Sequence, residues 1–125
     1  MILCDTNILI SAFSGRKDTI EQLEKIGLDN IVLSSVTVME LYQGMTNKRE
    51  LLAMKKNINS YNVIQINEDT SKKAIELMNL YNLSHNLQIA DALIGASAII
   101  YELDFYTYNL KDFQFMPNIK LYQLQ

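Results

Sequence analysis

Short apolar runs alternate along this chain with stretches whose apolar residues recur every three or four positions. Ile2-Leu3-Cys4 reads as a buried strand, after which the side-chain oxygen of Thr6 or Asn7 can cap a helix that runs to about Phe13. Gly15 then breaks the helical pattern. Ile20, Leu23 and Ile26 place an apolar stripe on a surface helix over residues 17 to 27, with Gly27 as its C-cap. Ile31-Val32-Leu33 is a second strand, and Ser34 or Ser35 can cap a helix carrying Val38, Leu41, Tyr42 and Met45, weakened by Gly44. A further helix is expected from about Asn47 to Ser60, a third strand from Val63 to Ile66, and a helix from Asp69 to Leu83 with Ala74, Leu77, Met78 and Tyr81 on one face. Gln88 to Glu102 is the clearest helix. Phe105-Tyr106 and residues 120 to 124 complete a set of five strands. Regular alternation of this kind predicts an α/β fold in which a parallel sheet carries helices on both faces.

The chain has 125 residues, 49% of them hydrophobic and 20% charged, which suits one domain over 1–125 with an ordinary core. No repeat, low-complexity tract or Pro/Gly-rich linker divides it. Eleven basic residues against fourteen acidic ones leave a net charge of −3, so a surface that coats nucleic acid by bulk positive charge is excluded. The single cysteine, Cys4, and the single histidine, His85, cannot form a disulfide framework, a Cys/His zinc cage or a redox pair. A reducing, cytoplasmic location is the expectation. The first residues lack the pattern of a secretory signal, and the apolar run from Ile89 to Tyr101 is too short to span a bilayer, so no membrane partner is expected.

The charges are most informative where they are missing. Asp5 is the only charged side chain before Arg16, Glu40 the only one between Asp29 and Lys48, and Asp91 the only one between Glu76 and Glu102. Ionised carboxylates in apolar surroundings are costly without compensation, and none of these three has a basic neighbour in sequence. All three are expected to be buried and to share a cation. Asp5 directly follows a strand, and α/β folds bind ligands beyond the carboxyl ends of their strands. Oxygen ligands without cysteine or histidine favour Mg²⁺ or Mn²⁺, ions that commonly bridge carboxylates and substrate phosphate. Each residue taken singly has a plainer reading: Asp5 as a helix cap, Glu40 on a solvated helix face, Asp91 as a cap or a paired inward charge.

Four segments then resemble the PIN-domain nucleases, and among them the VapC-type toxins of toxin-antitoxin systems. They are Leu3-Cys4-Asp5-Thr6-Asn7-Ile8-Leu9, Ser35 to Gly44 around Glu40, Ile89 to Ala98 around Asp91, and Tyr106-Thr107-Tyr108-Asn109-Leu110-Lys111-Asp112-Phe113. The resemblance implies a three-layer α/β/α sandwich with a central, mostly parallel sheet, and an acidic cluster that holds Mg²⁺ or Mn²⁺. It assigns metal binding to Asp5, Glu40 and Asp91. The fourth acidic position falls on Asn109 or on Asp112; only Asp112 is charged, which leaves one metal or two open. Thr6, Asn7, Thr107 and Asn109 match polar positions lining the pocket. The implied activity is endoribonuclease cleavage that leaves a 5′-phosphate and a 3′-hydroxyl, on RNAs of the tRNA or rRNA class. The implied partners are a cognate antitoxin and a second copy of the chain as a homodimer.

Carboxylate-held Mg²⁺ suffices for phosphodiester hydrolysis, so Asp5, Glu40, Asp91 and Asp112 are the catalytic candidates, with no role required of His85. Four basic pairs could meet RNA: Arg16-Lys17, Lys48-Arg49, Lys55-Lys56 and Lys72-Lys73. Lys48 and Arg49 are favoured because they follow the Glu40 helix, whereas Lys72-Lys73 reads as a solvated helix face. A phosphoacceptor receiver domain fits poorly, since the first strand ends in one acid and Leu51 to Ile66 contains no Asp. The closer rival is a PIN-like module that binds RNA or protein without cleaving, for which Asn109 is the argument.

Overall fold

The computed structural model describes residues 1–124. Five strands form one sheet: β1 (Ile2–Cys4), β2 (Ile31–Ser34), β3 (Asn62–Ile64), β4 (Asp104–Tyr106) and β5 (Lys120–Leu121). Six helices connect or flank them: α1 (Thr6–Phe13), α2 (Lys17–Ile26), α3 (Ser35–Gln43), α4 (Lys48–Ile58), α5 (Glu68–His85) and α6 (Ile89–Ile100). The strand order is β3-β2-β1-β4-β5, and every neighbouring pair is parallel. From β1 the chain moves outward through β2 to β3, then returns to lay β4 on the other side of β1. The order therefore reverses between β1 and β4, and a crevice opens there beyond the carboxyl ends of the strands.

The alternation of side chains along each strand divides the interior in two. Leu3, Val32 and Phe105 face a cluster with Ala74 and Leu77 of α5 and Ala92, Ile94, Ala96 and Ala98 of α6. Cys4, Ile31, Leu33 and Tyr106 face the opposite cluster, with Ile8 and Leu9 of α1, Leu23 of α2, and Met54 and Ile58 of α4. Helices thus cover both faces. Burying one such aliphatic or aromatic side chain contributes roughly 1.5–3 kcal/mol. This double core is what holds short strands of two to four residues in register.

Four details differ from the sequence pattern. The first helix is capped by Asp5, whose side chain accepts from the Thr6 backbone N–H, and not by Thr6 or Asn7. Ser34, rather than Ser35, caps α3 through the Val36 N–H. The third strand runs over Asn62–Ile64 instead of Val63 to Ile66, because Asn67 caps α5 and pulls the preceding residues out of the ladder. The fifth is Lys120–Leu121 alone, paired with Asp104 and Phe105; the Tyr122 N–H still donates to the Phe105 carbonyl, and residues 123 and 124 lie beyond the strand.

Candidate active site

Asp5 stands one residue past β1 and is 4% exposed. Its position is fixed twice: Oδ1 accepts from the Thr6 N–H at 2.8 Å, and Oδ2 accepts from the Thr107 hydroxyl at 2.7 Å. Thr107 follows β4, so this bond joins the two strands between which the sheet order reverses. The Asn109 N–H donates in turn to Thr107 Oγ1 at 2.9 Å. The Thr6 hydroxyl, in the first turn of α1, donates to Glu40 Oε1 at 2.6 Å and lies 3.1 Å from Thr37 Oγ1. Glu40 and Thr37 are three residues apart on α3 and share one face of it. Asp91 is the third residue of α6, and α6 packs against α3.

The electrostatics bring the four acids together. Burial raises the Asp5 carboxyl above its ordinary value; its bonds from Thr107 and Thr6 oppose that rise, and the charges of Glu40 and Asp112 add to it. Asp91 is pushed up to about 6, first by burial and then by the charges of Asp5, Asp112 and Glu40. Among the described residues no ion pair relieves the repulsion among these four carboxylates: Arg16 pairs with Asp18, Lys72 with Glu68 and Lys73 with Glu76. A hydroxyl or amide N–H donor meets Asp5 and Glu40 only.

Burial is graded rather than uniform. Asp5 is buried, Glu40 and Asp91 are half-buried, and Asp112 is exposed. The expectation of three fully buried acids therefore holds for Asp5 alone, because Glu40 and Asp91 lie on helix faces at the rim of the crevice. Asn109 enters through its backbone N–H while its side chain is exposed, and Asn7 Oδ1 is buried with no hydrogen-bond partner. Lys48 and Arg49 are exposed at the start of α4 and make no ion pair with the acids. Thr37, fully buried, is a part of the site that the sequence reading passed over. Its spacing of three from Glu40 was the available signal.

Among the described residues, no three acidic, histidine or cysteine side chains are placed so that they could hold a metal ion between them. The donor set nonetheless fits a hard divalent cation: carboxylates on four elements, mutually repelling and without a counter-charge. Mg²⁺ commonly keeps several waters and takes only one or two carboxylates directly, so an open arrangement of this kind suits it.

A model of the PIN domain matches residues 2–114, a span that includes all four acids. The chain belongs to the PIN domain family. This PIN domain is similar to a chain of a toxin-antitoxin complex from Klebsiella pneumoniae, at 30% identity and a TM-score of 0.80 over 99% of this chain and 100% of that one. It shares its fold with a chain of VapBC2 from Rickettsia felis, solved with a promoter DNA fragment, at 24% identity and a TM-score of 0.81 over the full length of both. DNA-bound VapBC from Salmonella typhimurium gives a TM-score of 0.84 at 21% identity, over 97% of this chain and 96% of that one. No curated protein matches the sequence. Among the described residues, no helix of this PIN domain is long and apolar enough to cross a membrane.

Proposed function

We propose that this PIN domain is a Mg²⁺- or Mn²⁺-dependent endoribonuclease and the toxin of a VapBC-type toxin-antitoxin pair. The observation that carries the reading is the convergence of Asp5, Glu40, Asp91 and Asp112, uncompensated by any cation, at the reversal of the sheet order. Such a cluster is unfavourable in isolation and becomes favourable when it holds a divalent ion, which is the usual economy of a functional site.

Asp5 and Asp91 are the residues that would hold the ion, with Glu40 and Asp112 placed to contact it through water or to orient the attacking water. When bound, the ion neutralises charge on the phosphodiester and stabilises the leaving oxygen. Thr107 and Thr6 favour the ionised form of Asp5 against the effect of its burial and hold it correctly turned, and Thr6 also binds Glu40. The cleft carries no histidine, so proton transfer falls to carboxylates and water. Lys48 and Arg49 supply a contact for the RNA backbone. The likeness to toxin-antitoxin complexes supports an antitoxin as protein partner.

The direct test is incubation of the purified protein with RNA in Mg²⁺ or Mn²⁺ against excess EDTA. Cleavage is expected only with the metal, and Asp5→Asn is expected to lose it by at least a hundredfold. Equal cleavage by the Asn variant would refute the nuclease assignment. RNA binding without cleavage would favour the binding-module alternative, for which the uncharged, exposed Asn109 is the supporting observation. For the toxin role, induced expression is expected to arrest growth, and co-expression of an adjacent small gene to relieve the arrest.

A further inference from the structure

At the end of β4 lies a cavity of about 320 Å³, lined among others by Arg16, Asp18, Glu21, Gln22, Tyr106 and Tyr108, that the hydrolytic chemistry leaves unused. Its volume is in the range of small-ligand pockets. Tyr108 directly follows Thr107, whose hydroxyl holds Asp5, so its Cα is about 3.8 Å from that of a residue bonded to the catalytic candidate. The Tyr108 ring is 37% exposed but fixed in place. Its hydroxyl bonds to that of Thr19, which is fully buried on α2. Its edge meets Tyr106 with ring centroids 5.8 Å apart at 81°, and Tyr106 packs in turn on Tyr122 at 5.2 Å.

Arg16 lies over this ring with its guanidinium carbon 5.0 Å from the centroid. Asp18 holds that guanidinium from the side through two bonds, 2.8 Å to Nε and 3.1 Å to Nη2. An aromatic ring anchored through its hydroxyl and an arginine plane locked by a carboxylate form a rigid, partly exposed flat surface. Sequence-specific RNA readers use such surfaces to take unpaired bases, which stack on aromatic rings or guanidinium planes.

We propose that the Arg16–Tyr108 pair is a stacking platform that takes one unpaired nucleobase of the RNA beside the cleaved phosphodiester and thereby sets the sequence preference of the cut. This rests on the nuclease reading for its substrate, but on different residues and a separate cavity. The base enters the pocket beside Tyr108 while its phosphate reaches the acids, and the polar walls of the pocket offer donors and acceptors to its edge.

Two measurements test it. The first is binding of a single-stranded RNA carrying 2-aminopurine in EDTA, where stacking quenches the fluorescent base. The second is sequencing of the ends produced from a mixed RNA pool with Mg²⁺. Wild type and Tyr108→Phe are both expected to quench, since both keep the ring, with the Phe variant binding a few-fold more weakly because its ring has lost the anchor on Thr19. Tyr108→Leu keeps apolar bulk without an aromatic face, and is expected to bind roughly five- to a hundredfold more weakly, the range for loss of one base–aromatic stack. It is also expected to quench less and to lose base preference at one position next to the cut. Arg16→Gln, an exposed change, is expected to shift the same readouts and stands in should Tyr108→Leu melt lower. Unchanged affinity, quenching and cut pattern in both variants would overturn the proposal while leaving the nuclease reading intact. Normal quenching by a wild-type protein that cleaves nothing would refute the nuclease reading and, with it, the role in cut preference, leaving the pair as a base-binding surface alone.

Discussion

Burial, and after it the charges of Asp5, Asp112 and Glu40, push the Asp91 carboxyl up to about 6. A group whose pKa is higher in the folded state than in the unfolded chain stabilises the fold when protonated, and that stabilisation is lost as the pH rises through the folded value. Asp5 shifts in the same direction. The acids shifted downward, Asp18 and Glu50, act only at lower pH. In EDTA the melting temperature is therefore expected to fall by a few degrees between pH 5 and pH 7.5, and saturating Mg²⁺ to restore it at the upper end. Asp91→Asn is expected to flatten that trend and to melt above wild type at pH 7.5 while losing cleavage. Scanning calorimetry across the pH range decides it. Thr107→Val removes a donor to buried Asp5 and an acceptor for the Asn109 N–H, at a cost of about 1–3 kcal/mol, with cleavage falling further than stability. At this scale the sequence announced Asp5, Glu40 and Asp91 by their isolation among uncharged neighbours. It was silent on Thr37 and Tyr108, whose importance comes from partners 31 and 89 residues away.

At the scale of elements, α6 and α3 carry Asp91 and Glu40, so whatever seats these helices seats the site. At Gly95, on the buried face of α6, a Cβ would overlap Met116 Sδ and sit 2.9 Å from its Cε, so the buried Met116 side chain would have to move to admit it. Gly95→Val is expected to destabilise by about 1–3 kcal/mol through overpacking and to shift Asp91 with its helix. Urea unfolding and residual cleavage read the two effects separately. Ser34→Ala removes the cap of α3 and should cost about 1 kcal/mol. The periodic helices and the central strands β1, β2 and β4 could be read from the chain because their apolar residues are packed on both faces of the sheet. The outer strands were less legible: Asn62 and Val63 of β3 are exposed, and β5 is two residues long, so their bounds follow from neighbours and caps more than from their own side chains.

For the whole molecule, a net charge of −3 conceals two populations. Setting aside Asp5, Glu40, Asp91 and Asp112 leaves ten acids against eleven bases. Each bound divalent ion adds two positive charges, so a loaded site no longer repels a polyanion strongly. The basic pairs also separate by their partners. Arg16 and both Lys72 and Lys73 are ion-paired, whereas Lys48 and Arg49 form no ion pair and stand at the positive end of the α4 dipole, where a cation is unfavourable. Replacing both by Gln is expected to leave the melting temperature unchanged or slightly higher, and to weaken RNA binding several-fold at low salt. The salt dependence should fall by about 0.7 per cation removed, as measured by titration at several ionic strengths.

The bond from Thr107 to Asp5 spans 102 residues, and the strand that precedes Asp5 is flanked by one whose last residue is Tyr106. During synthesis Asp5 leaves the ribosome 102 residues ahead of Thr107, so the acid is made long before the neighbour that holds it. A nascent or truncated chain has the acid but not the cleft. If the proposed activity is as harmful as that of a toxin, the order of the strands delays it until β4 and Thr107 have been made, a safeguard written into topology before any inhibitor binds.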